Sequence, residues 1–222
     1  MSATALPLLV IGNKNYSSWS LRAWLLLRTF GVAFRELQLP LDTPEFDARI
    51  GEFAPSGRVP ALVDGDVRVW DSLAIAEYAN ERWLAGRGWP ADRAGRAHAR
   101  AISAEMHAGF DTLRRALPFN CNKRVRDHAP AAGAADDIAR VAAIWREARG
   151  RFGADGDFLF GRFGIADAMY APVVLRFVSY GIELDASAQA YAEAIRDLPA
   201  LREWAAAAAA EPMSDEHERI KP

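Results

Sequence analysis

Apolar and polar positions follow two different periods along this chain, and the change between them divides it. Leu6 to Ile11 is a continuous apolar run with Pro7 near its start, the pattern of a strand buried on both faces. Gly12 to Ser18 is polar and predicts a loop. Leu21 to Phe30 is apolar around most of a helical circumference, which predicts a helix buried on several sides and ended by Gly31. Phe34 to Leu41 alternates in part and predicts a second strand. Pro44 to Phe53 predicts a short helix with Thr43 as N-cap and Pro44 as its first residue. Ala61 to Val63 and Val67 to Trp70 flank Asp64-Gly65-Asp66, a strong hairpin signal. A helical run from Leu73 to Leu84 follows Asp71 and Ser72. The order is β-α-β-α-β-β-α, which one mixed four-stranded sheet with helices packed on it accommodates.

Beyond Trp83 the strand period disappears. Residues 85–91, with Gly86, Gly88 and Pro90, predict a linker, and the chain is helical from Asp92 onward. Ile102, Met106, Phe110, Leu113 and Leu117 recur at spacings of three and four, as do Ile138, Val141, Trp145, Ala148 and Phe152. Further helices are predicted over 165–180, 187–197 and 199–210, and the polar tail after Glu211 is expected to fray. The reading is two domains, an α/β unit over 1–84 and an all-α unit over 92–222, joined by 85–91.

Composition narrows the function classes. The 222 residues are 51% hydrophobic and 25% charged, with a formal net charge of -2. This is an ordinary globular balance without the basic surface that nucleic acid calls for. No apolar stretch of about 20 residues is present to span a membrane. The N-terminus lacks a positive n-region and does not read as a signal peptide. Cys121 is the only cysteine, which excludes an intrachain disulfide and a Cys-rich metal site. His98 and His107 have no partner at metal-ligand spacing, so no metal is assigned, and a cytoplasmic setting is expected.

Three short segments carry candidate chemistry. Asn13 to Arg22, with Ser17, Ser18 and Ser20, leads into a helix start, where free N–H groups and the positive dipole end attract an anion. Taken alone, the serines read as helix caps. Ser56-Gly57-Arg58-Val59-Pro60 enters a strand through a proline whose position is consistent with a cis bond or with a strand-edge residue and does not by itself establish either. Asp71-Ser72 stands at another helix start, as a cap or as a pocket for an amino-acid-like group.

Together, in this order and spacing, the three segments resemble the thioredoxin-like domain of soluble, cytosolic glutathione S-transferases of bacterial type. Ser17-Ser18-Trp19-Ser20 is similar to the serine motif of the zeta class, with Trp19 where that class has cysteine. Arg58-Val59-Pro60 matches the family's cis-proline, and Trp70 to Tyr78 its γ-glutamyl-binding segment. In the helical half, Gly164-Ile165-Ala166-Asp167 resembles the family's buried capping box, but glycine leaves only the half supplied by Asp167.

The resemblance implies glutathione as co-substrate, a small-molecule electrophile as second substrate, and a homodimer. Ser17, with Ser18 as runner-up and Tyr16 as a distant third, would donate a hydrogen bond to the glutathione sulfur. Trp19, Arg58, Val59, Pro60, Asp71 and Ser72 would bind the rest of the tripeptide. Lys14 or Arg58 would reach the glycyl carboxylate, unless each is plain surface charge. Met106, Phe110 and Phe119 are candidates for the electrophile's apolar wall or for ordinary core, with Arg114 and Asn120 as polar neighbours. Lowering a thiol pKa from about 8.5 by two units requires about 2.7 kcal/mol. A helix dipole gives roughly 0.3–2 kcal/mol and a hydrogen bond to a charged group about 1.5–3, so a hydroxyl donor is needed besides the dipole. The function expected is conjugation of glutathione to electrophiles. Glutathione-dependent isomerisation and a non-catalytic binding or stress-adaptor module remain open.

Overall fold

The computed structural model describes residues 5–125 and 133–213. Four strands form one mixed sheet in the order β2-β1-β3-β4. β1 (Leu8–Ile11) lies inside it, parallel to β2 (Arg35–Gln38) and antiparallel to β3 (Ala61–Asp64). Its Leu9, Val10 and Ile11 are fully buried, as a continuous apolar run requires. β3 and β4 (Val67–Trp70) make the predicted hairpin, closed by Gly65 and Asp66. Only Gly65 of that pair has a positive φ (59°), so the glycine holds the first loop position, as in a type II′ turn.

Helix α1 (Ser18–Thr29) begins three residues before the apolar run, with Ser17 as its N-cap. α2 (Pro44–Arg49) starts at Pro44 under the Thr43 cap, as read, and continues into a 3-10 turn at Ile50–Glu52. The second strand is shorter than its alternating pattern, and α3 (Ser72–Arg82) takes Asp71 as N-cap. The helical half comprises α4 (Arg93–Ala108), α5 (Asp111–Ala116), α6 (Ala134–Phe152), α7 (Ile165–Ser179), α8 (Ala186–Asp197) and α9 (Pro199–Ala209). The apolar spacing from Ile102 to Leu117 runs through a break at Gly109 and Phe110. Gly109, extended, is the C-cap of α4, and Phe110 (φ 64°, ψ 35°) leads into α5 while its ring stays 8% exposed.

α7 is apolar all round and nearly every residue in it is buried, which makes it the central helix of this half. Asp167 Oδ2 accepts the Gly164 N–H at 2.9 Å, the surviving half of the capping box, and its Oδ1 accepts the Leu159 N–H at 3.1 Å. α1 packs on α3, α7 and α9, so one continuous core joins the sheet half to the helical half. Met106, Phe110 and Phe119 belong to that core, the plainer of their two readings. A smaller cluster of Val10, Leu39, Ile50, Ala54 and Ala61 fills the other face of the sheet. Trp89 is buried with its indole N–H on Glu77, and Trp83 packs edge-on against Tyr78. No helix among the described residues is long and apolar enough to cross a membrane. The tail expected to fray lies, from residue 214 onward, outside the described residues.

Candidate functional site

The loop from Gly12 to Ser17 is fixed from both halves of the chain. Its N–H groups at Lys14 and Asn15 donate to the two Glu211 carboxylate oxygens at 2.7 and 3.0 Å. The Lys14 carbonyl accepts the Trp204 indole N–H at 3.0 Å, and the Asn15 carbonyl accepts the Cys121 N–H at 3.1 Å. Lys14 does not reach toward a ligand. It is buried, with its ammonium against the Glu36 carboxylate and over the Trp204 ring, because Glu36 stands on the neighbouring strand and Trp204 on α9. Arg58, by contrast, is exposed.

At the start of α1, Ser17 Oγ accepts the Ser20 N–H at 3.2 Å and donates to Ser20 Oγ at 2.7 Å. Ser20 Oγ also accepts the Gly12 N–H at 3.1 Å, which ties the helix start to the end of β1. Ser18 Oγ accepts from Arg176 Nη2 at 3.3 Å, so its own proton is uncommitted. The Val59-Pro60 bond is cis. Val59 is half-buried, and its N–H and C=O form no backbone hydrogen bond among the described residues. Both groups stand two residues before β3, available to an extended ligand.

Asp71 has φ 80°, a conformation rare for a side chain other than glycine. It caps α3 through Oδ1, which accepts from Leu73 and Ala74, and turns Oδ2 to His107 Nε2 at 3.1 Å. Ser72 is buried and its Oγ has no hydrogen-bond partner. His107 links the two helix starts, since its ring also meets the Trp19 indole edge-on at 5.2 Å. Burial, and then Arg22 and Arg114, hold its pKa below the usual 6.5 against the pull of Asp71.

Three arginines converge here, and the sequence reading singled out only Arg114. Arg22 lies over the Trp19 ring at 4.2 Å and Arg114 over the same ring at 5.1 Å. Arg176, from the central helix, reaches Ser18 and the Leu117 carbonyl. Arg22 is 3% exposed, and its Nε and Nη1 have no hydrogen-bond partner. Burial and the charges of Arg114 and Arg176 bring it from 12.5 to about 9. It therefore remains a cation at neutral pH. Its one sequence signal is a charge inside the otherwise apolar run from Leu21 to Leu27. Among the described residues no group of His, Cys, Asp and Glu is placed to hold a metal ion.

Residues 16–82 match the family model described as glutathione S-transferase, N-terminal domain, and residues 129–207 the one described as glutathione S-transferase, C-terminal domain. The chain is 47% identical over 60 residues to dichloromethane dehalogenase of Methylorubrum extorquens, a match covering 26% of this chain and 21% of that protein. It is 33% identical over 108 residues to a probable maleylacetoacetate isomerase of Caenorhabditis elegans, covering 48% of this chain and 49% of that one. The chain thus spans at most about half the length of these relatives. Among solved structures, a glutathione transferase homolog from Burkholderia with bound glutathione superposes with a TM-score of 0.69 at 23% identity, covering 92% of this chain and 98% of that one. A theta class enzyme from Xanthomonas axonopodis pv. citri, also with glutathione bound, gives 0.65 at 20% identity, covering 90% and 97%. At these identities the superpositions speak for the fold.

Proposed function

Because the chain belongs to the glutathione S-transferase family, we propose that it binds glutathione across the ends of β3, α1 and α3 and conjugates it through its thiol sulfur to a small electrophile. The observation that carries this reading is the pair of capped helix starts bridged by Trp19, His107 and Asp71, with an unpartnered Ser72 hydroxyl at the second. Ser72 Oγ and the α3 N–H groups suit the γ-glutamyl carboxylate, and Asp71 its ammonium. Val59 offers a free N–H and C=O to the cysteinyl backbone. Pro60 follows it, and exposed Arg58 stands near for the glycyl carboxylate. The sulfur then lies at the start of α1, where the helix dipole and a hydroxyl of Ser17 favour the thiolate. Ser17 keeps its proton and donates it as a hydrogen bond; the sulfur is the nucleophile. Ser18 is the alternative donor.

Residues 1–84 would form the glutathione-binding domain and 92–222 the helical domain, joined by 85–91, in a cytoplasmic homodimer. Calorimetric titration with glutathione tests the reading, with binding expected at millimolar ligand or below. No heat at millimolar glutathione would assign the chain to a non-catalytic module. The partial likeness to a probable maleylacetoacetate isomerase favours glutathione-dependent isomerisation as a second reading. Parallel assays with chlorodinitrobenzene and maleylacetoacetate separate transfer from isomerisation.

A further inference from the structure

The glutathione reading leaves one buried feature unused. Arg22, Arg114 and Arg176 surround Trp19 and Ser18, and the carboxylate of Asp71 is already divided between His107 and two α3 N–H groups. Arg114 has a partner in Asp111 at 3.4 Å and donates to the Met106 and His107 carbonyls. Arg176 is held by the Leu117 carbonyl and Ser18 and lies over Phe119. Arg22 alone keeps two nitrogens without an acceptor while its side chain is buried. A buried guanidinium with open donors is costly unless an anion completes it. Such an unsatisfied group in a folded protein calls for a missing partner.

The position of Arg22 says what kind of partner fits. Arg22 follows Ser18 by four residues and Trp19 by three, so all three share one face of α1. The guanidinium lies against the first turn of α1, over the Trp19 ring at 4.2 Å. A planar carboxylate matches guanidinium donors better than a point anion does.

We propose that the second substrate is an electrophile bearing a carboxylate, held by Arg22 with Arg114 and Arg176 beside Trp19, its reactive carbon facing the helix start. This substrate class rests on the glutathione reading above and narrows it. The acid group sits a few bonds from the carbon attacked. For a chloroarene the thiol proton leaves to solvent, the C–S bond forms, and the C–Cl bond breaks with its electron pair on chloride.

The test uses the full chain, glutathione and a matched pair of probes, 4-chloro-3-nitrobenzoate and 4-chloro-3-nitrobenzamide. Each kcat/KM is divided by the rate constant of the same probe with free glutathione thiolate. A preference for the benzoate of about tenfold or more is expected, the scale of one charge-assisted hydrogen bond. Arg22→Met should abolish that preference. Arg114→Gln, on the short α5, should reduce it and carries the variant test if Arg22→Met does not fold. The preference is a ratio within one protein, so loss of folded fraction cancels. Equal handling of the two probes by the native protein overturns the proposal. So does a preference that survives both substitutions while glutathione affinity falls, because the arginines would then serve a carboxylate of glutathione itself. Turnover of neither probe also overturns it. Retained calorimetric binding of glutathione in that case leaves the glutathione reading standing, and its loss removes both.

Discussion

Replacing Ser17 by alanine should raise the pKa of bound glutathione by an amount that the ligand-free hydrogen bonds set. The Ser17 hydroxyl proton is given to Ser20 Oγ at 2.7 Å. To reach a sulfur it must turn away from that acceptor, at a cost of about 1 kcal/mol for a neutral hydrogen bond. A hydrogen bond to a charged group is worth about 1.5–3 kcal/mol, which leaves a net of about 0.5–2. At ~1.36 kcal/mol per unit, Ser17→Ala should raise the thiol pKa by about 0.4–1.5 units. Ser18 differs, because its hydroxyl accepts from Arg176 and its own proton is uncommitted. Were Ser18 the donor, nothing would be given up, and its removal would raise the pKa by about 1.1–2.2 units. Ultraviolet titration of the thiolate in the glutathione complex measures both variants. Ser17→Ala also removes the cap on the Ser20 N–H, so unfolding should become easier by about 0.5–2 kcal/mol. Ser17→Thr keeps the hydroxyl and should restore the titration. An unshifted thiolate titration in Ser17→Ala refutes the assignment, and a larger shift in Ser18→Ala moves the role one residue on.

Asp71→Asn keeps an acceptor for the Leu73 N–H but removes the charge, so glutathione should bind about tenfold to a hundredfold more weakly by calorimetry, with little change in melting temperature. Burial pushes the Asp167 carboxyl up to about 7 against its bonds from Leu159 and Gly164. The native state then holds a proton that the unfolded chain, with a carboxyl near 3.9, releases earlier, so stability should fall as pH rises from about 4 to 7; Asp167→Asn should flatten that slope in urea unfolding measured across the range. Burial also pushes the Cys121 thiol up to about 12, so Ellman's reagent at pH 8 should leave it unmodified in the native protein and titrate one thiol in denaturant.

Much of the fold is legible because one physical rule governs each segment. The run to Ile11 is apolar without alternation because β1 is covered on both faces, and the structure buries Leu9, Val10 and Ile11 completely. The start of α1 is harder to read. Its first turn is Ser18-Trp19-Ser20, and polar residues in a first turn hide the apolar period that marks the helix further on. The break after α4 is masked for a different reason. An extended Gly109 and a left-handed Phe110 turn the chain yet keep the phenyl ring in the core, so the apolar spacing continues across the glycine that ends the helix.

The candidate site divides along the same line. The caps at Ser17 and Asp71 and the strand entry at Val59-Pro60 are legible because each is a local backbone device whose residues are adjacent in sequence. Lys14 is misread because its fate is set by Glu36 and Trp204, which the sequence separates from it by 22 and 190 residues. Arg22 is passed over because a periodicity that assigns a whole run to the core averages away one charge within it. A buried charge is the more informative observation in such a run, since apolar neighbours fail to solvate it and a partner must be found. The structure shows Trp19 as a partial partner through its ring face, with Arg114 and Arg176 as further cations that outweigh the opposing charge of Asp71. An arginine that the fold leaves incomplete, against the first turn of α1, therefore says more about the second substrate than the apolar wall of Met106, Phe110 and Phe119, which the core already occupies.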